Sequence, residues 1–129
     1  MADKIILADT SILIDYFRKT DKTKSSLILL YRQGYDFCIS AITEYEVYSG
    51  ATTQQIPFWN GLLENTEVIS FSKDVAAIPV DINRELKLKR KQIEIADLFI
   101  AATAISKGLP FATLNKKHFE RINNLQLVD

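Results

Sequence analysis

The sequence of 129 residues is poor in the residue types that define several protein classes. Its one cysteine, Cys38, excludes an internal disulfide and a four-thiolate zinc site. Only four glycines and three prolines are present, which excludes a collagen-like repeat or a flexible linker. Sixteen basic residues balance sixteen acidic ones, so the formal net charge is zero. Any contact with nucleic acid must therefore come from a local patch of charge.

Long hydrophobic runs are also missing. The first apolar run, residues 5–8, is ended by Asp9, and the next is ended by Asp15. A membrane span needs about 20 consecutive apolar residues, and a signal peptide needs an uninterrupted apolar core. We therefore expect a cytoplasmic protein without a membrane segment. With 47% apolar and 25% charged residues, the composition predicts one folded domain over residues 1–129.

Short apolar runs alternate with amphipathic stretches along the chain. Strands are predicted at residues 5–8, 37–39, 68–71, 111–113 and 125–128. Helical segments are predicted at residues 10–19, 25–33, 40–50, 51–65, 72–92, 93–107 and 116–121. The fifth is expected to be interrupted or kinked near Pro79, and the last to be a short turn or helix. Short strands alternating with helices indicate parallel βαβ units. The predicted fold class is α/β, a three-layer α/β/α sandwich with a mostly parallel central sheet.

Three acidic residues lie where such a sheet would bring them together. Asp9 directly follows the first strand, Glu46 lies in the helix after the second strand, and Asp97 stands at the start of a helix that is otherwise almost entirely apolar. Ligands of open parallel sheets bind at the carboxyl ends of the strands. Taken singly, each aspartate has an ordinary interpretation as a helix N-cap, and the glutamate as a solvated helix residue.

Taken together, the three carboxylates predict a metal site. Carboxylates within about 5 Å of one another repel and raise one another's pKa unless a cation lies between them. Mg²⁺, or alternatively Mn²⁺, is the expected occupant, because hard divalent ions prefer oxygen ligands.

Four segments carry these acids and a polar edge: residues 6–15, 39–50, 96–104 and 109–119. In order and approximate spacing they resemble the four motifs of PIN-domain ribonucleases. The length of the chain and the residues of the motifs are most similar to those of the VapC toxins of bacterial toxin–antitoxin pairs. The resemblance implies a PIN-like fold with Asp9, Glu46 and Asp97 as catalytic acids and metal ligands. It further implies a Mg²⁺-dependent endoribonuclease toxin, a homodimer, and a cognate VapB-like antitoxin that covers the acidic cleft. Hydrolysis of RNA by a metal-activated water would leave a 5′-phosphate and a 3′-hydroxyl.

The fourth motif departs from many relatives, which carry an aspartate where this chain has His118. The change leaves three carboxylates and favours one tightly bound metal over two. His118 is interpreted either as a group that orients a water or contacts a phosphate, or as a surface residue beside Phe119. The predicted substrate-binding residues are Thr10, Ser11, Thr113, Asn115, Lys116 and His118.

Other functions are weighed against this one. A haloacid-dehalogenase-type phosphatase would need a second aspartate at position 11, which is Ser11. A response-regulator receiver domain would need an adjacent acidic pair near the N-terminus, and the sequence has none there. The serious alternative is a PIN-like module that binds RNA or a protein without cutting, which would be favoured if no metal were bound.

Overall fold

The structure, a computed structural model, describes residues 4–128, and within them strands and helices alternate. The strands are β1 (Lys4–Ala8), β2 (Tyr35–Ser40), β3 (Glu67–Ile69) and β4 (Phe111–Ala112). The helices are α1 (Thr10–Arg18), α2 (Ser26–Arg32), α3 (Ala41–Ser49), α4 (Ile56–Leu63), α5 (Lys73–Leu88), α6 (Ile95–Lys107) and α7 (Lys116–Phe119), with a short 3-10 helix at Lys22–Lys24. The predicted order of elements is confirmed from the first strand to the last helix.

Local side-chain chemistry sets where several helices begin and end. Asp9, Ser25 and Ser40 each accept a backbone N–H bond at the N-terminus of α1, α2 and α3, respectively. Gly108 ends α6 in the left-handed conformation, with φ at 63°. Helix α5 runs continuously through Pro79, so of the two predicted alternatives, an interruption or a kink, the interruption is wrong. None of the helices within residues 4–128 combines the length and apolar content needed to cross a bilayer.

The four strands form one parallel sheet in the order β3-β2-β1-β4. Strand β1 lies in the middle, where Leu7 pairs with Cys38 of β2 on one side and with Phe111 of β4 on the other. The chain therefore builds outward from β1 in two directions, which creates a switch in strand order between β1 and β4. Ligand sites of open parallel sheets lie at the carboxyl ends of the strands beside such a switch.

Side chains of β1 alternate between two buried cores. Ile6 and Ala8 pack into a core on one face with residues of α1, α2, α3 and α4, whereas Leu7 packs into a core on the other face with residues of α5, α6 and the C-terminal segment. All three side chains are fully buried, as expected for a strand covered by helices on both faces. The predicted three-layer α/β/α sandwich is thereby confirmed.

The predicted last strand, residues 125–128, is reduced to a single bridge. Leu127 bridges to Phe111, whose N–H donates to the Gln126 carbonyl at 2.8 Å and whose carbonyl accepts the Val128 N–H at 2.9 Å. Strand β4 has only two residues and ends before Thr113, so it offers one pairing position to a further strand. Helix α7 is also shorter than the predicted 116–121, since it ends at Phe119.

Candidate active site

Asp9 is the buried centre of the site. It follows β1 and is only 2% exposed. Its Oδ1 accepts hydrogen bonds from Ser11 Oγ at 2.5 Å and from the Ile12 N–H at 3.3 Å, and its Oδ2 accepts one from Thr113 Oγ1 at 2.6 Å. Burial raises the pKa of Asp9, and the bonds from Ser11 and Thr113 oppose that rise. Asp9 therefore caps α1, as its position after the first strand predicts, and it stays a predicted metal ligand.

The segment after β4 holds the two hydroxyls that bind Asp9. The Leu114 N–H donates to Ser11 Oγ at 3.0 Å, and the Asn115 N–H donates to Thr113 Oγ1 at 2.9 Å. Consecutive backbone amides thus fix one hydroxyl on each carboxylate oxygen of Asp9. Because each hydroxyl accepts from the backbone, its own proton is directed to the carboxylate.

Glu46 reaches the same region from α3. Thr10, the first residue of α1, has its Oγ1 at 2.6 Å from Glu46 Oε1 and at 3.0 Å from Thr43 Oγ1. Thr43 is fully buried, one helical turn before Glu46. Sequence reasoning missed Thr43, although a threonine three residues before an acidic residue places both on one face of a helix.

Asp97 is the third residue of α6 and not its cap, because the N-cap position belongs to Glu94. Its Oδ2 lies 3.5 Å from His118 Nε2, and both side chains are 31% exposed. Burial is the largest cause that raises the pKa of Asp97; the His118 side chain lowers it, and the charges of Asp9 and Glu46 raise it further. The carboxylates of Asp9 and Glu46 therefore lie near enough to Asp97 to affect its pKa.

A cavity of about 440 Å³ opens beside Asp97. It is lined by Glu94, Asp97, Leu114, Asn115, Lys116, Lys117 and His118. Of the predicted substrate-binding residues, Asn115, Lys116 and His118 line this cavity. The hydroxyls of Thr10, Ser11 and Thr113 are instead bonded to the carboxylates of Glu46 and Asp9.

The carboxylates of the site suit a divalent cation that keeps several water ligands, and not one that is enclosed by protein ligands alone. Within residues 4–128, no three His, Cys, Asp or Glu side chains stand close enough together to enclose a metal ion. Mg²⁺, however, usually keeps several waters and needs only one or two carboxylates directly. Asp9 and Glu46 have no Lys, Arg or His partner within 4.0 Å among the described residues, so a cation would meet uncompensated negative charge there.

Comparison with known proteins agrees with this geometry. The family model for the PIN domain matches residues 6–125. Ribonuclease VapC1 of Methanocaldococcus jannaschii is 38% identical over 123 residues, covering 95% of this chain and 84% of the relative. The tRNA(fMet)-specific endonuclease VapC of Shigella flexneri is 31% identical over 97 residues, covering 71% of this chain and 74% of the relative.

Solved structures give the same result. The DNA-bound VapBC structure from Salmonella typhimurium superposes with a TM-score of 0.82 at 28% identity, covering 98% of this chain and 97% of the other. The promoter-bound VapBC2 structure from Rickettsia felis gives a TM-score of 0.80 at 27% identity, covering 96% and 97% of the two chains. Because motifs, sheet order and relatives agree over nearly the whole length, this chain belongs to the PIN domain family and, within it, to the VapC ribonucleases.

Proposed function

We propose that this chain is a single-domain, metal-dependent endoribonuclease toxin that hydrolyses RNA phosphodiester bonds. The observation that carries the proposal is the proximity of three carboxylates: Thr10, which follows Asp9, bonds to Glu46, and the charges of Asp9 and Glu46 raise the pKa of Asp97. Asp97 lines a cavity together with Lys116 and Lys117. PIN-domain nucleases are generally dependent on a divalent metal ion. The relatives described above are named ribonucleases, and one is named a tRNA(fMet)-specific endonuclease.

In this proposal Asp9, Glu46 and Asp97 hold the metal ion, with Mg²⁺ as the first choice and Mn²⁺ as the second. A bound ion supplies charge neutralisation at the phosphate and acidifies a water molecule. The hydroxyl donors orient Asp9 and oppose the rise in its pKa, and Lys116 and Lys117, both exposed, attract the RNA backbone through their positive charge. Such contacts position the scissile phosphate near the carboxylates without reading its sequence.

The proposed partners are a VapB-like antitoxin and a second copy of this chain. The solved neighbours are VapBC complexes, which supports an antitoxin as the inhibitor. An acidic cleft in a chain of zero net charge is a suitable target for an inserted Arg or Lys side chain. A toxin of this kind would act in the cytoplasm, where its RNA substrate and its antitoxin are found together.

Cleavage of a mixed RNA pool tests the proposal. Purified wild-type protein is incubated with Mg²⁺ or Mn²⁺, with EDTA, and in parallel with the variant Asp9→Asn. The matched control is Asp81→Asn, an aspartate on α5 whose side chain is 85% exposed. We expect metal-dependent cleavage with 5′-phosphate ends by the wild type and Asp81→Asn, and none by Asp9→Asn. Binding of RNA without cleavage under every metal condition would favour the non-catalytic PIN-like module instead.

A further inference from the structure

Thr43 is a polar side chain in an unexpected place. Its relative exposure is 0%, and burial of a hydroxyl costs free energy unless it is hydrogen-bonded. A buried threonine inside a helix commonly bonds the carbonyl four residues earlier, as Thr103 of α6 does with the Phe99 carbonyl at 2.9 Å. Thr43 instead meets Thr10, 33 residues away on a different helix. The hydroxyl therefore links two elements and does not merely satisfy itself within α3.

The protons of this group of hydroxyls can be assigned by counting. Thr10 has one hydroxyl proton and two oxygen neighbours, at 2.6 Å on Glu46 and at 3.0 Å on Thr43. An ionised carboxylate can only accept, so the Thr10 proton goes to Glu46, and the Thr43 hydroxyl then donates to Thr10. Donation to the Thr10 oxygen also polarises its O–H and strengthens the bond to the carboxylate.

From this arrangement we propose that Thr43 is a positioning residue for Glu46, acting through Thr10. We call the hydrogen-bonded series Thr43–Thr10–Glu46 the hydroxyl relay. Because Thr10 directly follows Asp9 in the chain, the relay fixes the Glu46 carboxylate relative to the start of α1 and hence relative to Asp9. Loss of the Thr43 hydroxyl would leave Thr10 free to rotate away from Glu46. The inference rests on the proposed function for its effect on metal binding and catalysis, but the relay itself is a structural claim.

Three variants separate the effect of losing the Thr43 hydroxyl from the effect of altered packing. Thr43→Val keeps the side-chain shape and removes the hydroxyl, Thr43→Ser restores a hydroxyl, and Thr103→Val makes the same change at a buried threonine of α6 that bonds only a carbonyl. Partners that orient metal ligands typically contribute about 10- to 100-fold in metal affinity or activity. We expect Thr43→Val to weaken Mg²⁺ binding at least tenfold by calorimetry and to lower kcat with little change in KM. Thr43→Ser should recover most of both, and Thr103→Val should change neither.

A double-mutant cycle tests the relay without metal or RNA. Melting temperatures of the metal-free wild type, Thr43→Val, Glu46→Gln and the double variant report whether the two sites interact. We expect non-additive shifts, because removal of the Thr43 hydroxyl matters only when the carboxylate is there to be held. Additive shifts, or a Thr43→Ser variant that binds Mg²⁺ as weakly as Thr43→Val, would overturn the proposal. If the wild type neither binds Mg²⁺ nor cleaves RNA while the cycle is non-additive, the proposed function fails and the relay stands.

Discussion

Each of the three carboxylates of the site has its own set of partners. Asp9 is bonded to Ser11 and Thr113, Glu46 to Thr10, and Asp97 lies beside His118. Hydroxyl donors oppose the rise in pKa that burial causes, and they add no positive charge to the site. A lysine or arginine would cancel that charge. The choice of hydroxyls is therefore consistent with a site that is completed by a cation from solution.

Replacement of Asp97 by asparagine should stabilise the metal-free protein. In the fold, burial and the charges of Asp9 and Glu46 raise the pKa of Asp97 above its ordinary value. Ionisation of Asp97 therefore costs folding stability in full above its folded-state pKa, and this cost fades as the pH falls from that value to the ordinary pKa of an aspartate. At pH 7 with EDTA, we expect Asp97→Asn to melt a few degrees above the wild type, and the two to converge at acidic pH.

The same variant separates a metal ligand from an ordinary helix residue. Added Mg²⁺ should raise the melting temperature of the wild type, because a ligand that binds only the folded state stabilises it. We expect this increase to be lost in Asp97→Asn and kept in the exposed control Asp81→Asn. An unchanged metal-induced shift in Asp97→Asn would show that Asp97 is not a ligand.

The lone cysteine should be chemically inert in the folded protein. Burial, and then the negative charges of Glu67 and Asp36, raise the pKa of Cys38 to about 11. Since the thiolate is the reactive form, almost no Cys38 is nucleophilic at pH 8. We expect iodoacetamide to modify the native protein negligibly within an hour, and to modify it fully in denaturant. Rapid stoichiometric alkylation of the native protein would contradict the buried position of this thiol.

At the scale of the element, the end of α5 stores strain at one residue. Arg90 has φ at 56°, the left-handed region, and its N–H bonds to the Lys87 carbonyl at 3.1 Å. The next N–H, of Lys91, bonds to the Leu86 carbonyl at 2.9 Å. These two bonds form the Schellman motif, in which glycine is the usual residue at the position that Arg90 occupies.

Substitution of Arg90 by glycine should therefore stabilise the protein. The left-handed conformation costs a residue with a Cβ atom about 1 kcal/mol that glycine does not incur. We expect Arg90→Gly to raise the free energy of unfolding in urea by about 1 kcal/mol. The neighbouring Lys89 has φ at −88°, so Lys89→Gly serves as the control and should lower stability. A lower stability for Arg90→Gly would show that Arg90 does not adopt the left-handed conformation of a Schellman motif at the end of α5.

The elements were predicted from sequence to different degrees. The strand at residues 5–8 and the apolar helix containing Asp97 could be predicted, because almost uniformly apolar segments are typical of fully buried strands and helices. The start of α6 could not be predicted from sequence, because Glu94 occupies the N-cap position without a side-chain hydrogen bond. The prediction of a last strand at residues 125–128 was wrong because that segment pairs with β4, which has only two residues. Thr43 was missed because its role exists only once α1 and α3 are packed together.

At the scale of the whole molecule, strand order assembles the site. Asp9 follows β1 and Thr113 follows β4, the two strands on either side of the switch, while Glu46 and Asp97 are supplied by helices on the two faces of the sheet. Although the net charge is zero, Asp9 and Glu46 lie near enough to Asp97 to raise its pKa, and Lys116 and Lys117 line the cavity beside Asp97. The parallel topology predicts that the acids converge, whereas their individual hydrogen-bond partners could be assigned only from the packed structure.

Calorimetric titration of Mg²⁺ into the metal-free protein shows whether Asp9, Glu46 and Asp97 share one divalent cation. The wild type is compared with Asp9→Asn, Glu46→Gln and Asp97→Asn, with Asp81→Asn as the control of equal charge change. We predict one ion per chain for the wild type and the control, and at least tenfold weaker binding for each of the other three. Equal affinity in all five proteins, or no binding by a wild type that still cleaves RNA in EDTA, would contradict it.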